Sequence, residues 1–374
     1  MIIGAPLEIK SGEKKVALTP AMVNSLVSCG HEVIVQKNIG ESSDFSNDLY
    51  IRNGAIMVDT AEEVYSKSDI IVKVNQPQVE EYALLREKQI IFAFFKYSEK
   101  DSLMQMVLDK KITTIDYSSI KNNKGNYPII RIGSEIVGKT LIRIASSIIE
   151  KYKGGALLGG ATGVAPMSIT IIGAGTVGFD AAKTAVALGA DVSILDIEPE
   201  KLRKIEKLPG RKIRTFFSNR DNLDILLPQT DVLICAVKRN NKKLPPIIKL
   251  DDVRKMKRGS VIIDAGLASN NIVVETLEDR FQSIDNSVYE KEGVYHFCYK
   301  DIASLSAKTI SSAISGVLIP YVLAFANEPD MVDALKDCPD VTNGVITYNG
   351  KITNESVAED FGEQVYELSM LTGF

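Results

Sequence analysis

The stretch SITIIGAGTVGFDAAKTAVALGADVSILDIE, residues 168–198, constrains the fold more than any other part of the chain. A β-branched run is followed by Gly173, Gly175 and Gly178 in the spacing G-x-G-x-x-G. An amphipathic helical segment and a second apolar run ending in Asp196 come next. A glycine pattern alone is weak evidence, but strand, glycine turn, helix, strand and terminal acid in this order predict a dinucleotide-binding βαβ unit.

Each position of this turn has an expected task. Gly173 permits the tight turn, Gly175 lets the backbone approach a pyrophosphate, and Gly178 lets the helix lie close to the strand. Free N–H groups of the first helical turn face the phosphates. The Asp196 carboxylate can accept both ribose hydroxyls and would repel the 2′-phosphate of NADP, so the pattern favours NAD. The predicted cofactor-binding residues are Gly173, Ala174, Gly175, Thr176, Val177, Gly178, Asp196, Ser218, Ala236 and Val237.

Composition excludes several other classes of protein. At 374 residues the chain is long enough for two domains with their own cores. Its net charge of −4 comes from interspersed acids and bases, so we expect no nucleic-acid partner. The two histidines, His31 and His296, belong to no metal-binding motif in the sequence, so we predict no protein-bound metal.

Apolar segments and cysteines bear on the compartment. The longest apolar stretch, Val317 to Ala326, contains Pro320 and is too short to span a bilayer, and the N-terminal residues do not resemble a signal peptide. The four cysteines are widely spaced, which favours reduced thiols over a disulfide framework. These features predict a cytoplasmic protein with a small-molecule ligand and no membrane partner.

The pattern before residue 130 alternates β-branched runs with amphipathic segments, as βα units do. Thr19 and Pro20 predict a capped helix start. The expected strands of this part are Ile2–Ala5, Glu32–Gln36, Ala55–Val58, Asp69–Val74, Gln89–Phe95 and Ile112–Tyr117. After Asp196 the pattern continues with strands at Lys212–Phe217, Asp231–Val237, Ser260–Ala265 and Gly293–Cys298.

Long helices are expected at Ser134–Lys151 and Thr309–Asn327, and a final helix at Glu355–Leu371. The glycine-rich loop 154–166 leads into the strand before the glycine turn, and it is either a connector or a loop that covers the cofactor. The predicted fold is α/β, with two doubly wound parallel-sheet domains joined by long helices, the central one a Rossmann NAD-binding domain.

Five segments resemble the alanine dehydrogenase family: IGAPLEIKSGEKKVALTP, SDIIVKVNQP, LLGGATGVAP, GSVIIDAG and TYNGKITNESVAE. They occur in one order over nearly the whole chain. The resemblance implies a catalytic domain split between residues 1–130 and 309–374, a Rossmann domain at 131–308, NAD, and a homo-oligomer, either a dimer or a hexamer. The soluble subunit of proton-translocating transhydrogenase and the saccharopine dehydrogenases are similar to the same template.

The resemblance also implies a pair of basic residues that bind the substrate carboxylate, an arginine and a lysine. Lys15 stands at the arginine position, which keeps the charge but loses the bidentate geometry of a guanidinium group. Lys73 stands at the lysine position. It also ends an otherwise apolar strand, where ligands of open α/β sheets bind. A surface lysine with a buried stem is the alternative for Lys73.

Three positions depart from the family pattern. Lys96 stands where the family has its catalytic histidine, and Ala268 where it has its catalytic aspartate. Asp301 stands where an asparagine normally lies against the nicotinamide. We therefore predict Lys73, Lys96 and Asp301 as the catalytic set of an altered active site.

The sequence leaves the tasks of these three residues open. If Lys73 and Lys96 lie close together, repulsion and burial would lower one lysine pKa and provide an acid/base group. Alternatively, Lys96 is a second anion contact that suits a dicarboxylate or a larger acidic substrate. Asp301 either meets an amine or caps an adjacent helix.

The resulting functional hypothesis is an NAD-dependent amino-acid dehydrogenase that acts on an amino acid or keto acid by hydride transfer. An opine- or saccharopine-type enzyme, in which the imine forms with an amino-acid amine, is the first alternative. A catalytically weak NAD(H)-binding sensor or subunit would explain the missing acid/base residues. A transhydrogenase subunit is the least favoured, because the chain ends soon after its C-terminal helix.

Overall fold

Two open sheets organise the chain in the computed structural model, which describes residues 1–98, 102–208, 210, 213–238, 245–266, 273–277, 284–328 and 330–373. The chain divides into two compact units. Met1–Gly133 together with Ala307–Phe374 form the first unit, and Ser134–Ser306 form the second. Each unit contains one of the sheets, with helices packed around it.

The sheet of the first unit contains eight strands. They are β1 (Ile2–Ala5), β2 (Glu32–Gln36), β3 (Ile56–Val58), β4 (Ile70–Asn75), β5 (Ile90–Phe94), β6 (Thr113–Asp116), β14 (Val345–Tyr348) and β15 (Lys351–Ile352). Their order is β15-β14-β6-β5-β4-β1-β2-β3. The pairs among β1 to β6 are parallel, and β14 and β15 pair antiparallel. The order reverses between β1 and β4, so this is the switch point of the sheet.

The helices of the first unit surround this sheet. They are α1 (Pro20–Ser28), α2 (Asn47–Arg52), α3 (Ala61–Lys67), α4 (Leu103–Asp109), α10 (Ala307–Asn327), α11 (Met331–Asp337), α12 (Glu355–Phe361) and α13 (Leu368–Thr372). Short 3-10 helices occur at Glu41–Ser43, Val79–Leu84 and Pro339–Gly344. Helix α5 (Pro128–Tyr152) begins in the first unit and continues into the second.

The sheet of the second unit contains β7 (Ser168–Ile172), β8 (Asp191–Asp196), β9 (Ile213–Phe217), β10 (Val232–Cys235), β11 (Val261–Asp264), β12 (Val288–Lys291) and β13 (Val294–Phe297). Their order, β12-β13-β11-β10-β7-β8-β9, places the switch point between β7 and β10. The helices are α6 (Thr176–Ala187), α7 (Pro199–Glu206), α8 (Arg220–Leu226) and α9 (Leu250–Lys255), with 3-10 helices at Leu227–Gln229, Ile284–Asn286 and Ile302–Ser306.

A separate apolar core lies on each face of the second sheet, because successive residues of a strand point to opposite faces. Ile171 belongs to one core cluster and the next residue, Ile172, to the other. The expected α/β fold with two doubly wound sheets is therefore confirmed, although each sheet is mixed rather than wholly parallel.

Several predicted element boundaries are wrong. Helix α5 begins at Pro128, six residues before the predicted cap at Ser134, because proline fits the first turn of a helix. The expected last helix is two short helices, since α12 ends at Phe361 and the next residue, Gly362, has a φ of 64°. Thr19 does precede α1, but its hydroxyl bonds the Ser315 hydroxyl at 2.8 Å and does not cap the helix.

One helical stretch, Ile302–Asn327, is long and apolar enough to cross a membrane by length and composition alone. Its buried residues include Ile310, Ile314, Leu318 and Val322, and α10 packs on α1 in the first unit. More than half of this stretch is buried within the structure.

Candidate active site

The glycine turn of the second unit has the geometry that its sequence predicts. Gly173 has a φ of 101°, and a Cβ there would lie 2.5 Å from the Ala236 carbonyl oxygen. A Cβ at Gly178 would lie 1.8 Å from the Gly173 carbonyl oxygen, so helix α6 can approach β7 only without a side chain. A Cβ at Gly175 would meet nothing within 4 Å, so this position leaves space in front of the helix N-terminus.

Asp196 ends β8 beside this turn and is 6% exposed. One carboxylate oxygen accepts the Ala174 N–H at 2.6 Å, and the other accepts the Glu198 N–H at 2.9 Å. These bonds hold the carboxylate against the turn. Each oxygen keeps a lone pair, so the group can still accept from hydroxyls.

The other predicted cofactor residues lie at the same edge of the sheet. Thr176 and Val177 form the first turn of α6, whose N–H groups have no partner within the helix. Ser218 follows β9, and its N–H donates to the Asp196 carbonyl at 3.0 Å. Ala236 and Val237 follow β10, and the Ala236 N–H donates to the Ile172 carbonyl at 2.7 Å. The predicted residues therefore converge on the switch point between β7 and β10.

Two apolar residues near Asp196 were missed by the sequence analysis. Ile197 follows the buried strand β8 and is 75% exposed, and Phe217 ends β9 and is 54% exposed. Phe217 pairs with Asp196 across β8 and β9. An apolar residue directly after the terminal acid was the available signal. The exposed pair forms an apolar surface beside the predicted ribose site.

The glycine-rich loop 154–166 lies away from the glycine turn. A Cβ at Gly159 would lie 2.1 Å from the Leu188 carbonyl oxygen, and Leu188 ends the helix that starts at the turn. The Met167 N–H donates to the Leu158 carbonyl at 2.9 Å, next to the start of β7. These contacts place the loop at the amino-terminal edge of the sheet and favour a connector over a cover for the cofactor.

Asp301 lies before the 3-10 helix Ile302–Ser306. Its carboxylate accepts the Ser304 N–H at 3.1 Å and the Ser304 hydroxyl at 2.5 Å. The structure thus gives Asp301 the helix-capping contacts that the sequence left as one alternative.

Lys73 is buried, so it is not the surface lysine that the sequence left as the alternative. It lies in β4, next to the switch point of the first sheet, and its side chain is 0% exposed. Its ammonium group donates to the Glu81 carboxylate at 2.8 Å, and Glu8 lies 3.8 Å away. The Tyr65 hydroxyl also donates to Glu81, at 2.9 Å. The buried charge of Lys73 is therefore balanced within the chain.

Lys15 is also paired in the structure. Its ammonium group lies 2.8 Å from the Glu13 carboxylate, and the side chain is 9% exposed. Helix α10 supports this loop, since the Ser311 hydroxyl accepts the Val16 N–H at 3.0 Å and the Ser315 hydroxyl accepts the Thr19 N–H at 3.2 Å.

Glu8 follows β1 and faces the end of β4 across the switch point. It accepts the Val74 N–H at 2.6 Å, and the Asn75 amide at 3.3 Å. Asn75 also donates to Glu13 at 2.9 Å, which connects the two lysine pairs. Burial raises the pKa of the Glu8 carboxyl, and the charge of Lys73 only partly opposes this shift.

Sequence reasoning missed these acids. Glu8 and Glu13 lie in the same loop as Lys15, and Glu81 lies in the 3-10 helix after β4. Polar residues in a loop give no periodic signal, so their burial could be seen only in the folded chain.

Lys96 lies two residues beyond β5 and is exposed. Its N–H donates to the Gln76 side chain at 2.6 Å. It lines a cavity of about 200 Å³ together with Asp116, Asp360 and the stacked rings of Phe95 and Tyr97. The contacts of Lys73 run to Glu8 and Glu81, whereas Lys96 borders a cavity beyond the end of the neighbouring strand, β5.

Ala268 lies outside the described residues, so the missing aspartate stays a sequence observation. Within the described part of the chain, no cluster of three or more histidine, cysteine, aspartate or glutamate side chains could hold a metal ion. The same part holds its four cysteines as free thiols.

Comparisons with known proteins agree with this geometry. The family description "Alanine dehydrogenase/PNT, N-terminal domain" matches residues 4–137, and "Alanine dehydrogenase/PNT, C-terminal domain" matches residues 142–355. An alanine dehydrogenase of Bacillus subtilis (strain 168) is 37% identical over 364 residues, which are 97% of this chain and 95% of that protein. An alanine dehydrogenase of Methanococcus maripaludis is 36% identical, with 96% of each chain covered.

Solved structures give the same result. A structure of L-alanine dehydrogenase has a TM-score of 0.89 at 30% identity and covers 97% of this chain and 99% of that one. A transhydrogenase from Sinorhizobium meliloti shares the fold alone, with a TM-score of 0.80 at 20% identity, covering 95% of this chain and 100% of that one. The chain is a homologue of the alanine dehydrogenases, which are oxidoreductases that act on CH–NH2 groups. It belongs to the alanine dehydrogenase/PNT family, whose members use NAD(H).

Proposed function

We propose that this chain is an NAD-dependent amino-acid dehydrogenase with an altered active site. The observation that carries the proposal is the pair of switch points: a glycine turn with a terminal acid in one unit, and buried lysine–carboxylate pairs in the other. Ligands of open α/β sheets bind at such points. The second unit would hold NAD and the first unit the amino acid or keto acid.

The residues of the second unit fit a dinucleotide. The space at Gly175 would admit the pyrophosphate, and the first turn of α6 would donate to it. Asp196 would accept the ribose hydroxyls, and the exposed side chains of Ile197 and Phe217 would contact the adenine ring. When bound, NAD would accept the hydride from the carbon that bears the amine.

The residues of the first unit fit a carboxylate ligand. The Lys73 ammonium group would donate a hydrogen bond to the substrate carboxylate while it keeps its bond to Glu81, and Lys15 would add a second positive charge. Both ammonium groups are already held by acids, so their positions are fixed before a substrate arrives.

In this proposal, acid/base catalysis is the step that differs from the family pattern. Oxidation leaves an iminium that water must attack, and a protein group must accept the proton of that water. We propose that Lys96 carries out the proton transfers in the absence of the family histidine, that Lys73 holds the substrate through its ammonium group, and that Asp301 contacts the amine. The bonds from the Ser304 N–H and hydroxyl fix the orientation of the Asp301 carboxylate.

A further part of the proposal concerns the whole protein. We propose a cytoplasmic homo-oligomer, a dimer or hexamer, in keeping with the family resemblance and with the free thiols of the described residues.

The experiment that tests this function follows NADH oxidation with a panel of keto acids that includes pyruvate and 2-oxoglutarate. Each keto acid is tested with ammonia, and separately with lysine or ornithine. We expect turnover with ammonia. Turnover only with the amino-acid amines would replace the proposal with the opine-type enzyme. NADH binding without turnover on any pair would replace it with a non-catalytic NAD(H)-binding role.

The role of Lys96 has its own test. Lys96→Gln should lower turnover at least tenfold while NADH binding stays unchanged, because a proton carrier or anion contact is lost from the first unit only. Lys336→Gln, a change at an exposed lysine of α11, is the control. Undiminished turnover in Lys96→Gln would remove this residue from the catalytic set.

A further inference from the structure

Five charged side chains of the described residues form a buried cluster in the first unit. The cluster contains three carboxylates, Glu8, Glu13 and Glu81, and two lysines, Lys15 and Lys73. Their side chains are at most 9% exposed. A ligand carboxylate that reaches Lys73 would therefore meet two carboxylates, Glu81 and Glu8, that already lie within 4 Å of its ammonium group.

Distances distinguish Glu8 from the other two carboxylates. Glu13 pairs with Lys15 at 2.8 Å, and Glu81 pairs with Lys73 at 2.8 Å. Glu8 accepts the Val74 N–H at 2.6 Å, but it is 3.8 Å from Lys73, which is too long for a hydrogen bond. Glu8 is thus the carboxylate of the three that has no ammonium group within hydrogen-bonding distance.

The charged and titratable groups around Glu8 come from several elements. Lys73 on β4 is the positive one, and Glu13 on the same loop is a negative one. The phenols of Tyr65 on α3 and Tyr117 after β6 also lie within electrostatic range of Glu8. Burial raises the pKa of the Glu8 carboxyl more than Lys73 lowers it. The exposed Lys10 bonds Asn75 at 2.8 Å, where water screens its charge.

We propose that a substrate carboxylate binds to Lys73 and Lys15 together with one proton, which Glu8 takes up from solvent. The proposal rests on the function proposed above and adds the proton to it. The only bond that forms is O–H on Glu8, whose carboxylate becomes a neutral carboxyl. The proton removes the repulsion between Glu8 and the incoming anion, which would share Lys73 as their nearest cation.

Binding of this kind has a defined pH dependence. Below the pKa of Glu8 the carboxyl is already neutral, and affinity for the anion is independent of pH. Above that pKa each further pH unit should weaken binding up to tenfold, because one proton must be taken up with the ligand. The affinity for NADH, which binds the second unit in our proposal, should not follow this course.

The experiment is calorimetric titration of the NADH-bound protein with pyruvate and no ammonia, at roughly pH 6 to 9 and in buffers of different ionisation enthalpy. We expect uptake approaching one proton per pyruvate at high pH. Glu8→Gln keeps an oxygen that can accept the Val74 N–H but carries no charge, so its pyruvate binding should show no proton uptake and little pH dependence. Glu41→Gln, at an exposed acid of the same unit, should behave like the parent protein.

A second measurement needs no ligand. Because the pKa of Glu8 is raised in the folded state, its contribution to stability is present at low pH and is lost as the pH rises through that pKa. In thermal unfolding, the Tm of Glu8→Gln should therefore rise relative to the Tm of the parent protein as the pH is raised. A constant difference in Tm across this range would contradict the assignment of the buried proton to Glu8.

The outcomes separate the two proposals. Pyruvate binding without proton uptake, or with uptake that persists in Glu8→Gln, would overturn the coupling and leave the proposed function intact. A lack of pyruvate binding at every pH, with turnover absent from the keto-acid panel, would overturn the proposed function and the coupling with it. Proton uptake that Glu8→Gln abolishes supports both.

Discussion

The glycines of the turn between β7 and α6 meet two different physical requirements, which the sequence motif alone does not distinguish. Gly178 is needed for packing, since a Cβ there would lie 1.8 Å from the Gly173 carbonyl oxygen, whereas a Cβ at Gly175 would meet nothing within 4 Å. The protein itself therefore tolerates a side chain at Gly175, and only an approaching ligand would not.

This difference gives the first prediction. Gly178→Ala should destabilise the fold by about 1–3 kcal/mol, because overpacking forces α6 away from β7. Gly175→Ala should leave Tm within about 2 °C of the parent value and yet weaken NADH binding at least tenfold. Calorimetric unfolding and NADH fluorescence titration measure the two effects. Equal NADH affinity in Gly175→Ala and the parent protein would contradict the placement of the pyrophosphate.

A second prediction concerns Asp196, which is held by the Ala174 and Glu198 N–H groups at 2.6 and 2.9 Å. Asp196→Ala should weaken NADH binding, because two ribose hydroxyls lose their acceptor. It should also reduce the preference for NADH over NADPH, because the repulsion of the 2′-phosphate is lost. Parallel titrations with NADH and NADPH test this. Asp191→Ala, an exposed aspartate at the start of the same strand, is the control.

At the residue scale, the sequence predicted the place of a side chain in the fold better than it predicted the groups which that side chain contacts. Lys73 was expected at the carboxyl end of a strand, and the structure places it within β4, two residues before the strand ends at Asn75. Its partners Glu81 and Glu8 come from separate elements, and neither periodicity nor spacing marks them. The sequence left open whether Lys73 and Lys96 lie close together, and their observed contacts run to different groups.

At the scale of elements, helix α10 supports the loop that carries Lys15. Buried hydroxyls of Ser311 and Ser315, one turn apart, accept the N–H groups of Val16 and Thr19. A buried serine hydroxyl on a core helix costs free energy unless it is hydrogen-bonded. These two serines bury less apolar surface than larger apolar side chains would, but they hold the loop in place.

The third prediction follows from this support. Ser311→Ala leaves the buried Val16 N–H without its acceptor at 3.0 Å, which should cost about 1–3 kcal/mol of stability. The looser loop should raise the KM for the keto acid more than it lowers kcat. Steady-state kinetics and chemical unfolding measure both effects. Ser312→Ala, an exposed serine on the same helix, should change neither.

Element boundaries show what sequence patterns could and could not predict. The long helices and parallel strands were predicted from their apolar periodicity. Both antiparallel hairpins were missed, although each has a two-residue turn with positive φ at Glu292 and Gly293 or at Asn349 and Gly350. Asn-Gly between apolar runs is a strong hairpin signal, so the second of these was available in the sequence. The first was not, because Glu-Gly is an unusual pair for such a turn.

At the scale of the whole molecule, each unit has its own sheet and core. Because of this, a ligand bound to the second unit should mainly stabilise residues of that unit. The fourth prediction is that saturating NADH, at about 100 times its Kd, raises the free energy of unfolding by about 2.7 kcal/mol. Hydrogen exchange should locate the added protection at the amides of Gly175–Gly178. Protection of the first unit alone would contradict the placement of NADH. Gly175→Ala should show less protection at the same NADH concentration.

The edge of the first sheet constrains how the protein is made. Strand β14 pairs with β6, and Val345 is paired with Ile115, so two segments separated by well over half of the chain must meet. The second unit lies wholly within the intervening sequence and can fold while translation continues. The first sheet is completed only after β14 and β15 have been synthesised. Until then its β6 edge stays unpaired, which leaves that edge open to aggregation or chaperone binding.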